Sequence, residues 1–248
     1  MKKYIFILVF AFGTNLALAQ YAGQIATNLS SGGDTNAGVS AQIGMLLGPA
    51  TERDSKRKKN YDKFQGSPYV ADIFLPSTLF YKDENLGSIF YRYNALNEEI
   101  EIKKSNLEEE GIRGLARDKD ISVLVNGKKM SFKTFVTAKK RTLNGYLVTL
   151  NDGKKYDLYK RTHVKFTEAQ PAANSFTKAV PARFSQFTEY YFQKEGVNRM
   201  DEIPARNSKL LKLVDADIKD SLKSFLKENS LNIKEESDLI RVFDFLNK

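Results

Sequence analysis

Ile121-Ser122-Val123-Leu124-Val125-Asn126-Gly127-Lys128-Lys129-Met130-Ser131-Phe132-Lys133-Thr134-Phe135 is the stretch that decides the fold class. Two runs rich in β-branched and aromatic residues flank Asn126-Gly127. That dipeptide readily takes the positive φ angles of a type I′ turn, whose twist matches the strands it joins. The stretch therefore predicts an antiparallel hairpin. Downstream, Gly145–Leu150 meets Lys155–Lys160 across Asn151-Asp152-Gly153, and His163–Phe166 extends the second strand. Arg183–Phe192 is a further long β-like run. Upstream, Tyr69–Leu75 and Ser77–Tyr81 are β-rich and broken by Pro76. A proline cannot donate to a ladder, so it marks an edge or a turn. Ser88–Asn94 and Glu98–Lys103 follow, joined by a hairpin connection at 94–97. Ile100 and Ile102 alternate with charges there, the pattern of a strand with one wet face. The expectation is a mainly β (α+β) protein: an antiparallel meander forming a sandwich or a partly closed barrel.

After Pro204 the apolar period changes. Leu210, Leu211, Leu213 and Val214 make a short apolar turn. Ile218, Leu222, Phe225 and Leu226 fall at i, i+4, i+7 and i+8, one face of a helix. Leu239, Val242, Phe243 and Leu246 repeat that spacing behind Glu235-Glu236-Ser237-Asp238, acids that complement the start of a helix dipole. The sequence thus divides into a β domain at 66–204 and a cap of amphipathic helices at 205–248. Residues 20–65 precede them as a Gly/Ser-rich and basic leader, expected to be flexible. Within it, Val39, Ile43, Met45, Leu46 and Leu47 form a short sticky segment. Lys56-Arg57-Lys58-Lys59 reads either as a solvated linker or as a contact for an anionic envelope polymer.

The first nineteen residues have the form of a secretory signal peptide. Lys2 and Lys3 give a basic start, Tyr4–Phe12 an apolar core, and Ala17 and Ala19 the small residues at −3 and −1, leaving Gln20 as the first mature residue. The apolar run is too short to span a bilayer, so no transmembrane span is expected after cleavage. The chain contains no cysteine, which excludes disulfides, thiolate metal sites and thiol catalysis together. A net charge of +9 favours anionic surfaces. In an exported protein the expected partners are an envelope protein or an anionic glycan or lipid surface, not nucleic acid.

Residue types for catalysis are sparse. His163 is the one histidine, beside Arg161 and Lys165 in a strand-like run, and no Gly-x-Ser-x-Gly elbow accompanies it. Glu98, Glu99 and Glu101 read as a solvated strand face, and Glu108-Glu109-Glu110 as a solvated loop. No metal site, cofactor or catalytic residue is assigned. The aromatic content of 12% is more suggestive. Tyr91, Tyr93, Tyr156, Tyr159, Tyr190 and Tyr191, with Arg161, are candidates for a stacking surface that binds a ligand; cross-strand packing is the competing reading.

Gly66-Ser67-Pro68-Tyr69, Arg92-Tyr93-Asn94, Glu98-Glu99-Ile100-Glu101, Leu158-Tyr159-Lys160-Arg161 and Pro181-Ala182-Arg183-Phe184 carry a family look. So does the close Asp238-Leu239-Ile240-Arg241 with 243–247. Together, over roughly residues 64–248, they resemble uncharacterised exported proteins of Bacteroidota. The resemblance implies no reaction. Proteins of that phylum that leave the cell by its own route end in a β-sandwich signal, whereas these helical closing residues suit a periplasmic or outer-membrane-associated protein, or a secreted one. Three functions remain open. The first is a non-enzymatic envelope protein with a binding or structural role. The second is a hydrolase of an envelope polymer, which would need two cleft carboxyls about 5–10 Å apart. The third is a carrier for a lipid-like ligand, which would need an apolar cavity of roughly 300 Å³ or more.

Overall fold

The computed structural model describes residues 43–48, 64–172, 174, 176 and 178–248. In chain order the strands are β1 (Leu47–Gly48), β2 (Leu75–Tyr81), β3 (Glu84–Asn94), β4 (Glu99–Lys103), β5 (Arg113–Leu115) and β6 (Ile121–Val125). They continue with β7 (Lys128–Val136), β8 (Thr142–Asn151), β9 (Tyr156–Thr167), β10 (Arg183–Lys194) and β11 (Met200–Glu202). Three helices close the chain: α1 (Asn207–Leu210), α2 (Lys219–Glu228) and α3 (Glu236–Leu246). The molecule is mainly β with helices at its C-terminal end.

The strands form one sheet in the order β1-β5-β4-β3-β2-β6-β7-β11-β10-β9-β8, with β8 also paired to β7. Neighbours are antiparallel except β11 and β7, which share one parallel pair, Asp201 with Val136. Strands β7 to β11 therefore curl round on themselves, but a single residue pair makes the return and the sheet is not a closed barrel. The hairpin expected at Asn126-Gly127 joins β6 to β7, with φ of 50° and 76° at its two central residues. Both signs match a type I′ turn. Pro76 pairs with Phe90 of β3, while β6, on the other side of β2, reaches only Leu79–Tyr81. Its missing N–H thus falls on an open edge, where it costs no ladder bond.

Several expectations need correction. Residues 69–74 are not a strand: Tyr69 makes one isolated bridge with Asn94, and the chain then bends. The Ser67 hydroxyl donates to Asp72 and accepts from the Tyr69 amide, giving the backbone a local alternative to the ladder. The solvated face read on β4 is absent, since Glu101 is only 1% exposed. Arg92 lies directly opposite it on β3 and draws it in. Part of the leader also joins the fold: Ile43 is buried, and Leu47 pairs with Leu115 to make β1. Strands β5 and β11, each of three residues, carry too little alternation to be seen in sequence.

Three apolar clusters hold the sheet. The first fills the β2–β6 side and takes in Met130, Tyr146, Val164 and Phe184 from β7 to β10. The second lies between Leu150, Tyr156 and Leu158 of the sheet and the helices, through Leu222, Leu239, Val242 and Phe243. The third sits inside the curl and consists of Phe135, Leu147, Tyr159, Tyr191 and Met200. Alternation along β9 assigns residues to these cores, with Leu158 facing the helices and Tyr159 facing the curl.

Candidate functional site

Polar chemistry concentrates at one end of the curl. Arg161 of β9 lies opposite Glu189 of β10, and Nη1 of the arginine is 2.7 Å from that carboxylate. Its Nε donates to Glu98 at 3.2 Å, and its Nη2 bonds the other oxygen of the same carboxylate. Glu98 reaches in from the β3–β4 turn, where its φ is 50°. Tyr191 donates to Glu189 at 2.8 Å. Burial works against the charged Arg161, but the bonds from Glu98 and Glu189 outweigh it and hold its proton above the usual arginine range. Burial, with Glu189 beside it, likewise pushes the Tyr191 hydroxyl up. His163 stacks on Phe187, ring centroids 5.4 Å apart, and its Nδ1 is 3.9 Å from Glu189 without a hydrogen bond.

Such an arrangement suits a tie between the β3–β4 turn and strands β9 and β10 better than a reacting centre. Two carboxylates share one guanidinium, so both are already engaged in ion pairs. The acid nearest His163 is already engaged by Arg161 and Tyr191. Among the described residues, no three potential metal ligands cluster.

A groove of about 380 Å³ separates the β2–β3 side from the face of β7–β9. One wall is Leu75, Tyr91 and Tyr93, with Val70, Ala71 and Ile73 from the bend that replaced the expected strand. The other is built by register: Met130 faces Val148, and Val148 faces Lys160, so one side of three neighbouring strands supplies Met130, Val148, Leu150 and Thr162. At the rim, Val70 is 50% and Ile73 67% exposed, large apolar side chains left in water.

Three cations and one carboxylate line this groove: Arg92, Lys128, Lys160 and Glu236. Arg92 donates from Nε to Glu101 at 3.0 Å and lies 3.8 Å over the Tyr69 ring. Lys160 is 2.7 Å from Glu236, which also accepts from Tyr190 at 3.0 Å. Lys128 donates to the backbone carbonyl of Leu150. Arg92 and Lys160 thus have acid partners, and Lys128 has a neutral one.

The residues singled out in the sequence do not share one surface. Tyr91 and Tyr93 line the groove, with Tyr93 packed edge-on against Tyr146 at 6.2 Å. Tyr156 belongs to the helix-facing cluster and bonds Asp215. Tyr159 and Tyr191 fill the curl, Arg161 sits at its end, and Tyr190 reaches toward α3. Lys56, Arg57, Lys58 and Lys59 lie outside the described residues, as do Ala17, Ala19 and Gln20. Sequence reading missed Val70, Ile73, Met130, Val148 and Lys128 as a set. For Lys128, Met130 and Val148 the one sequence signal, same-parity positions on adjoining strands, needs the register to be interpreted, and Val70 and Ile73 in the bend carry no such signal.

Comparison of the chain with protein-family models, with curated proteins and with solved structures finds no match in any of the three.

Proposed function

We propose that this chain is an exported, non-enzymatic binding protein of the cell envelope whose groove holds a lipid-like ligand. The observation that carries the reading is the groove itself. At about 380 Å³ and with mostly aliphatic and tyrosine walls, it exceeds the roughly 300 Å³ expected of a small-molecule site. Exposed Val70 and Ile73 at its rim suit an apolar ligand entering from water or from a membrane surface. The signal-like first nineteen residues support the exported part, with residence in the periplasm or at the outer membrane. The hydrolase alternative is weakened because Glu98 and Glu189 are both held on Arg161.

The test is fluorescence of N-phenylnaphthylamine, an apolar probe, titrated with the full chain. The signal is expected to rise and saturate. Val148→Trp fills the groove from β8 and Leu75→Trp fills it from the opposite wall; each is expected to weaken probe binding about tenfold or more, a loss of about 1.4 kcal/mol. Wild-type protein that leaves the probe unchanged would overturn the proposal, as would two folded tryptophan variants that bind it as well as the parent.

A further inference from the structure

We infer that the groove's ligand is a long-chain carboxylate, a fatty-acid anion, with Lys128 as the partner of its head. The inference rests on reading the groove as the ligand site and adds the chemistry of the ligand.

The argument begins with charge. Of the three cations on the walls, Arg92 and Lys160 are matched by Glu101 and Glu236, leaving Lys128 as the one whose partner is a neutral carbonyl. An ammonium gains more from a carboxylate than from an amide oxygen, because charge-assisted hydrogen bonds are roughly twice as strong as neutral ones. One unmatched lysine calls for one negative charge. A phosphate monoester brings nearly two at neutral pH and would leave the excess unmatched. A carboxylate brings one.

Position agrees with charge. Lys128 is the first residue of β7, directly after the Asn126-Gly127 turn, and Asn126 also lines the groove. The Asn126 amide can donate to the second carboxylate oxygen. Met130 and Val148 lie next to Lys128 on the same face, with Tyr91 and Leu75 across from them, so the apolar lining adjoins the cation. A single acyl chain ending in a carboxylate matches that sequence of surfaces.

The experiment is displacement of bound N-phenylnaphthylamine from the full chain by dodecanoate, by the uncharged dodecanol, and by dodecyl phosphate. Dodecanoate is expected to displace at about one-tenth the concentration of dodecanol. Lengthening the carboxylate is expected to tighten binding about fourfold per methylene until the groove is full, the factor equivalent to 0.8 kcal/mol per buried methylene. In Lys128→Met the advantage of carboxylate over alcohol should fall below about threefold, while Lys128→Arg should keep it. Equal displacement by dodecanoate and dodecanol would overturn the carboxylate inference and leave the groove reading standing. Preference for the phosphate, or undiminished discrimination in a folded Lys128→Met protein, would overturn it as well. Failure of wild-type protein to bind the probe at all would remove the groove reading beneath it.

Discussion

A side chain at position 145 would occupy space already taken. A Cβ built there lies 2.3 Å from an oxygen of Glu98 and 3.4 Å from the Phe135 ring. The Glu98 carboxylate ends a flexible side chain and would ordinarily swing aside. Here Arg161 holds both of its oxygens, so moving it means breaking a largely buried ion pair. In a strand, replacing glycine by alanine normally helps, because glycine loses more backbone freedom on folding. Gly145→Ala is therefore expected to reverse that sign and destabilise by about 1–3 kcal/mol, the usual range for overpacking. In a Glu98→Ala background the same substitution should cost less than about 0.5 kcal/mol, since the obstructing carboxylate is gone. Urea midpoints for the four proteins of the cycle check this. Equal penalties in both backgrounds would mean that Glu98 does not occupy that space, and the account of its tie to Arg161 would fall with it.

The end of α3 is fixed to the start of β9 by one side chain beyond the helix. Asn247 Oδ1 accepts from the amides of Lys155 and Tyr156 at 3.0 and 2.8 Å, and its Nδ2 donates to the Tyr156 carbonyl at 2.8 Å. A Cβ at Gly153 would come within 1.9 Å of that Nδ2, so the β8–β9 turn is shaped around Asn247. Asn247→Ala is expected to cost about 1–3 kcal/mol, because it orphans the part-buried amide and carbonyl of Tyr156. Amide hydrogen exchange at Tyr156 should accelerate more than exchange at Val123, buried on strand β6, which follows only the loss of global stability; no extra acceleration at Tyr156 would remove Asn247 from this role. The helix itself was legible in sequence, for Leu239, Val242, Phe243 and Leu246 repeat at helical spacing and all are buried. The seat of that helix was not legible, because it depends on residues about ninety positions apart. The same division holds elsewhere. Asn126-Gly127 announced its hairpin because a two-residue turn is a local matter. Residues 69–74 carried strand composition, but the Ser67–Asp72 contact bent them into the groove wall instead. Glu101 read as solvated because its partner Arg92 lies on another strand. The groove was invisible for the same reason: its lining is set by the register of β7, β8 and β9 together with that misread bend.

Across the whole described molecule, the two sides of the sheet share their packing. Met130, Tyr146, Val164 and Phe184 come from β7 to β10 yet belong to the cluster that buries β2 to β6. The hydrogen bonds of Arg161 add a polar tie across the same boundary, since Glu98 arrives from the β3–β4 turn and Glu189 from β10. Neither side can open without exposing apolar surface of the other, at about 25 cal/mol for each Å². Unfolding is accordingly expected as one cooperative transition. The chain has 12 tyrosines and no tryptophan, so near-ultraviolet circular dichroism follows tyrosine packing on both sides of the sheet, while the signal at 222 nm is weighted toward helix. The two melting curves should superimpose. A ligand in the groove touches β2 and β3 on one wall and β7 to β9 on the other, and so must stabilise that same single transition. At one hundred times its dissociation constant it should add about 2.7 kcal/mol and move both curves together. Curves that separate when ligand is added, with only one shifting, would show that the groove belongs to one side of the sheet and that the shared core does not couple the two sides.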